Sequence, residues 1–283
     1  MRTVMGRRTR WAVWAVVLLA GAARAEDAPA KIRDNLFLLE EAYNQEPGVI
    51  QHIQSFVFEP KSKDWSYSFT EEWPAPTDRN QLSITVPALR IGTGANAEAA
   101  IGDVMLNYRV QAMGLGGVGR LAIAPRLSLT LPTGDYRTGA GRGALGVQLN
   151  LPVSLELGDH LVSHLNAGVT VTPAARAPGG YSQTAVDANA GLALVWLLAP
   201  WLNPLVEVVY LSGEEIRDDL TTARSSTVVI NPGVRAAITF RNGLQIVPGL
   251  SAPIQLAETG VSFSVLAYLS FEHPLWDPPD EPR

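Results

Sequence analysis

Thirteen residues fix what this chain can become. Between Leu145 and Leu157, Leu145, Val147, Leu149, Leu151, Val153, Leu155 and Leu157 form one row, and Gly146, Gln148, Asn150, Pro152, Ser154 and Glu156 form the other. That is a strict period of two, sustained for about twice the five or six residues of an ordinary strand. Gly158-Asp159 then signals a tight hairpin, and a second alternating run begins at once. A long strand with one apolar face, a minimal turn and another long strand is the repeat unit of a transmembrane β-barrel.

The same pattern recurs along the chain. It predicts an all-β fold, a transmembrane antiparallel up-and-down barrel of about twelve strands. The strands fall near 49–59, 64–73, 80–91, 100–112, 119–132, 143–157, 160–173, 183–198, 201–213, 224–240, 243–252 and 260–273. Leu121, Ile123, Leu127, Leu129 and Leu131 oppose Ala122, Ala124, Arg126, Ser128 and Thr130; Val261, Phe263, Val265, Leu269 and Phe271 oppose Ser262, Ser264, Tyr268 and Ser270. Six prolines interrupt the runs, at 87, 125, 152, 204, 232 and 248, where a ladder normally rejects a residue with no N–H.

Composition agrees with lipid as solvent. Charged residues make up 17% and hydrophobic ones 47%, against roughly 25% charged in a typical soluble domain. No internal stretch reaches the roughly 18 consecutive apolar residues of a membrane helix. The net charge of −5 argues against nucleic acid as a partner, and the absence of cysteine excludes disulfides and thiolate metal sites.

The first residues set the compartment. Arg2, Arg7, Arg8 and Arg10 precede an apolar run from Trp11 to Ala20, and Ala23-Arg24-Ala25 fits a signal-peptide cleavage site. Residues 1–25 are therefore read as a signal peptide cleaved near Ala25. Residues 26–48 form a periplasmic or plug segment: Leu36, Leu39 and Tyr43 have helical spacing, so a short amphipathic helix on the periplasmic side or a lumen plug fits, and a poorly ordered terminus is the alternative. Residues 49–276 form the barrel and 277–283 a tail.

Connections and aromatics support this layout. Pro132–Arg142, Pro173–Ser182 and Gly213–Ala223 are long, whereas Gly158-Asp159, Ala199-Pro200 and Arg241-Asn242 are minimal. Outer-membrane barrels show this asymmetry, with short periplasmic turns and longer extracellular loops. The first two connections depart from it: 60–63 is short and 74–79 is long. Trp196, Trp201, Phe240, Trp73, Phe271 and Trp276 sit at strand ends on one predicted side, as an interfacial girdle requires.

If the apolar row meets lipid, the polar row lines a lumen. This selects Asp103, Asn107, Arg109, Arg126, Gln148, Glu156, His164, Asp187, Glu207 and Arg235 as candidates for a solute path. The same residues also suit an ion-pair network that only fills the barrel. No metal is expected. His160 and His164 are four apart on a strand, about 13 Å, too far for one ion. No catalytic residues are assigned: G-x-S-x-G is absent, and no serine stands out beside a histidine in the sequence. Gly114–Gly119 resembles a nucleotide loop only loosely, with no helix after it, so no cofactor is expected.

With the strands placed, the chain resembles the family of predicted outer-membrane barrels linked to the MetA-pathway of phenol degradation. The resemblance rests on NLFLLEEAYNQEPGV (35–49), WSYSFTEEWP (65–74), Gln81-Leu82-Ser83, GDVMLNYR (102–109) and PRLSLTLPTGD (125–135). It implies a barrel that passes small hydrophobic or aromatic compounds across the outer membrane. One departure is the DPPDEPR tail after Trp276, where barrels usually end on an aromatic. The expectation is a monomeric outer-membrane channel or transporter of a Gram-negative envelope. Its partners are lipid, a small-molecule solute and the barrel-assembly machinery, and its loops at 132–142, 173–182 and 213–223 gate a polar lumen. A non-pore ligand-binding or structural barrel and a lipid-modifying enzyme are the alternatives.

Overall fold

The computed structural model describes residues 32, 34–92, 97–114, 120–217 and 221–274. The signal peptide, the 277–283 tail, Trp276 and most of the Gly114–Gly119 turn lie outside the described residues.

All regular structure is β. The segments are β1 (Val49–Glu59), β2 (Asp64–Pro74), β3 (Asn80–Ile91), β4 (Glu98–Ile101), β5 (Val104–Val110), β6 (Leu121–Ile123), β7 (Arg126–Leu131), β8 (Gly146–Glu156) and β9 (Leu161–Arg176). They continue with β10 (Ser182–Trp196), β11 (Leu202–Ile216), β12 (Thr222–Ala236), β13 (Ile238–Thr239), β14 (Gln245–Ser251), β15 (Ile254–Ala257), β16 (Gly260–Phe263) and β17 (Val265–Pro274). Five pairs of segments (β4/β5, β6/β7, β12/β13, β14/β15 and β16/β17) are single strands with a local break, so the sheet is twelve antiparallel strands. It closes on itself. β1 pairs with β17 from Val49↔Pro274 to Phe58↔Val265, which leaves no edge for another chain to extend.

The breaks account for all of the prolines but Pro204; Pro125 lies in one, and Pro248 faces the β12/β13 break, between Arg235↔Gly249 and Ile238↔Ile246. Pro87 of β3 lies against the β4/β5 break and its carbonyl accepts the Gly102 N–H at 2.8 Å. Pro152 of β8 lies against the Ala124-Pro125 break and accepts the Ala124 N–H at 3.1 Å. Pro232 of β12 lies against the Ala252-Pro253 break and accepts the Ala252 N–H at 3.0 Å. Pro204 pairs with Val234 on one side and lies one residue past the last β10–β11 pair, Val195↔Leu205, on the other. Each ring sits where its neighbour needs no N–H.

The faces divide as the alternation predicts. Leu145, Val147, Leu149, Leu151, Leu155 and Leu157 are exposed on the outer surface, as are Leu165, Val169, Leu192, Leu194, Val206 and Val208. Trp196, Trp201 and Phe240 are exposed beside the short turns. The inner face carries Ser83, Asn107, Ser128, Asn150, Asn166, Asn203, Asn231 and Ser270, all buried.

Two expectations are corrected. The stretches at 173–182 and 213–223 are about half strand: β9 runs to Arg176 and β10 starts at Ser182, β11 runs to Ile216 and β12 starts at Thr222. Ladder hydrogen bonds continue past the apolar belt, where polar side chains imitate loop composition. Among the described residues only 132–145 is a long irregular connection. Over the described part of 26–48 the helical reading also fails. Residues 34–48 form no helix and lie inside the barrel as an irregular extended strip. Its N–H and C=O groups find partners on the wall, so it has no need of a helix's own hydrogen bonds.

Candidate functional site

The lumen is filled by residues 32 and 34–48, which we call the inner segment. Its backbone is held almost residue by residue. Glu207 Oε1 accepts the N–H groups of Leu38 and Leu39 at 2.9 and 3.0 Å. Asn166 grips Glu40 from both sides, accepting its N–H at 3.1 Å and donating to its carbonyl at 2.8 Å. Ser154 Oγ accepts the Ala42 N–H at 2.8 Å. Gln111 donates to the Ala42 carbonyl at 2.7 Å and accepts the Asn44 N–H at 2.9 Å, and Gln81 accepts the Gln45 N–H at 2.8 Å.

Three arginines supply the charged grip. Arg109 donates to the carbonyls of Glu41 and Tyr43 at 3.2 and 2.6 Å. Arg235, fully enclosed, donates to the carbonyls of Ile32, Asp34 and Asn35 and pairs with Glu41 at 2.7 Å. Arg126 pairs with Glu40. Near β17, Asp34 accepts hydrogen bonds from Tyr268, Ser270 and Gln51. Buried charges survive only with such partners, and each arginine here has several.

The lumen is not polar all round. Ile53, Val162, Val195, Leu205, Val209, Val229, Val247 and Leu266 form an apolar sector, and Leu36, Phe37 and Leu39 of the inner segment pack on it. Glycines make the sockets. A Cβ added to Gly233 would come 2.5 Å from Phe37 Cε2, and one on Gly191 would come 2.6 Å from Leu39 Cδ2. Strand Gly is permitted where another chain segment approaches this closely.

The ten candidate residues sort by depth. Arg109, Arg126, His164, Glu207 and Arg235 face the inner segment directly. Asn107 and Gln148 extend the wall network, to Ser83 and to Thr170. Asp103 and Asp187 act at the loop end. Asp103 accepts the N–H groups of Gly134 and Arg142 at 2.9 and 2.7 Å, and the Arg142 guanidinium reaches Asp187 at 3.2 Å and the Glu214 carbonyl at 2.7 Å. The 132–145 connection is thereby drawn across the mouth, above a cavity of about 530 Å³. Glu156 ends β8 beside the short turn.

Sequence reading missed the inner segment's own acids, Asp34, Glu40 and Glu41, and the amide clamps Gln81, Gln111 and Asn166. It also found no serine beside a histidine. The fold brings Ser154 Oγ within 2.8 Å of His164 Nδ1, with Glu41 3.8 Å from Nε2. This constellation is sealed: all three side chains are buried, Ser154 accepts the Ala42 N–H, and Glu41 is engaged by Arg235. It holds the inner segment.

No protein-family model matches the sequence, and no curated protein matches it. The likeness is to solved structures of outer-membrane barrels. The COG4313 outer membrane channel from Pseudomonas putida F1 is 14% identical over 82% of this chain and 97% of its own, with a TM-score of 0.60. The NanC porin in a rhombohedral crystal form (7% identical, 78% and 98% covered, TM-score 0.49) and the KdgM porin (10%, 80% and 98%, 0.48) are more distant. At such identities the likeness is one of fold, and the first of the three carries it.

Proposed function

We propose that the chain is a monomeric outer-membrane channel whose lumen its own inner segment closes at rest. Residues 1–25 are the cleaved export signal, the short turns face the periplasm and the 132–145 connection covers the outer mouth. The observation that carries this reading is the lumen itself. A barrel wide enough to hold a folded-back strip of its own chain is wide enough for a small solute once that strip moves. The grip is also made largely of side-chain hydrogen bonds, which water or a solute can replace.

The lining bears on the cargo. An apolar sector opposite a polar, charged one suits a small compound with a hydrophobic or aromatic body and a polar group. This agrees with what the MetA-pathway resemblance implies.

Planar-bilayer recording of the full chain and of a variant lacking 26–48 tests the proposal. The full chain is expected to conduct weakly and the shortened one at least tenfold more. A barrel that conducts equally little in both forms would instead be a closed envelope or binding protein, the second reading, which the dense grip on the inner segment favours.

A further inference from the structure

Arg109 of β5 and Arg126 of β7 are directly opposed across neighbouring strands. Two cations in that position repel, more strongly on a buried wall than in water. The carboxylate of Glu40 is placed between them. Its Oε1 pairs with Arg126 Nη1, and its Oε2 lies 3.8 Å from Arg109 Nη1. Asn150 Nδ2 approaches Oε1 at 3.4 Å. Gln148 orients Arg126 by accepting from its Nη2 at 2.6 Å. Arg126 Nε is buried and has no hydrogen-bond partner, so the guanidinium has a donor to spare.

The cradle belongs to the rigid wall, whereas its occupant belongs to the strip that must leave for the channel to open. When it leaves, the two arginines face each other with no anion between them. Glu72 and Glu207 stay on the wall, but they are bound to Gln81 and Asn231.

We infer that Arg109, Arg126 and Asn150 form a carboxylate-binding site in the lumen. Glu40 fills it at rest, and the solute of the channel is an organic carboxylate that displaces Glu40. The inference rests on the channel reading for its solute, not for its site. The planar carboxylate matches the guanidinium fork, and a neutral isostere leaves the opposed cations uncompensated.

The test uses the full chain in detergent, with 13C-acetate titrated by NMR and acetamide as the neutral control. Glu40→Ala vacates the cradle. The expected result is acetate binding at least tenfold tighter than in the wild type, lost again in Glu40→Ala/Arg126→Met, with no binding of acetamide. Equal acetate affinity in wild type and Glu40→Ala, or equal binding of acetamide, overturns the site. Should Glu40→Ala not fold, Glu40→Gln removes the charge and keeps the bulk. A smaller tightening is then expected, and none at all overturns the inference. Because the titration does not depend on conduction, a barrel that binds acetate yet never conducts would sink the channel reading and leave the site standing.

Discussion

Leu149 and Gln148 are adjacent in sequence and opposite in surroundings. Leu149 is 59% exposed on the outer face, whereas Gln148 is held inside by Arg126 and Thr170. Leu149→Arg should cost roughly 2–4 kcal/mol near the bilayer midplane. Gln148→Glu, which gains a charge partner in Arg126, should cost far less. Urea unfolding in lipid vesicles compares the two, and equal losses would mean the faces are misassigned. Arg235→Met breaks the buried pair with Glu41 and removes the donors to the Ile32, Asp34 and Asn35 carbonyls, a loss of about 3–5 kcal/mol where a buried pair is broken. That energy holds the inner segment and not the ladder, so the expected readout is protease cleavage within 32–48 while the barrel's circular dichroism stays unchanged. Gly249→Ala acts from the apolar side. Its Cβ collides with the Phe37 ring and comes no nearer than 3.3 Å to the wall, at Tyr268, so conductance should rise without loss of the folded barrel.

At the scale of elements, the strands were legible because burial, hydrogen bonding and alternation all repeat every second residue. The 145–157 row appears in the structure as an outward-facing apolar stripe paired with β7 on one side and β9 on the other. The prolines looked like defects because a proline's tolerance depends on the neighbouring strand, where the matching break lies 15 to 28 residues away for Pro87, Pro152 and Pro232. The loops were over-read because polar strand ends beyond the apolar belt have the composition of loops. The inner segment was the least legible part. Leu36, Leu39 and Tyr43 have the spacing of a helix face, but the partners that replace a helix's hydrogen bonds, such as Glu207 for Leu38 and Arg235 for the Ile32 carbonyl, are up to 203 residues distant. Half of the ten proposed lumen residues face that segment. Alternation placed them inward but could not say what they would touch. The 132–145 connection makes its own prediction. Asp103→Ala frees Gly134 and Arg142, and single-channel recording should then show larger and more frequent current fluctuations at the mouth. An unaltered noise spectrum would mean the latch has no part in permeation.

For the molecule as a whole, the barrel is a soluble domain turned inside out, with leucine and valine facing outward and a polar interior built around a strip of its own chain. Closure has a consequence for how the molecule comes to exist. The seam joins β1 to β17, the first and last strands of the sheet, and the inner segment immediately precedes β1. The strip is synthesised before any of the walls that will enclose it, and the seam cannot be sealed until the final strand arrives. It is therefore in place to act as a mandrel, gathering Glu207, Asn166, Gln111 and the arginines around its backbone while the cylinder is still an open sheet. On that view a chain without residues 26–48 reaches the same cylinder more slowly. Refolding from urea into vesicles, followed by tryptophan fluorescence, should show a retarded closing phase that a synthetic peptide of residues 32–48 restores.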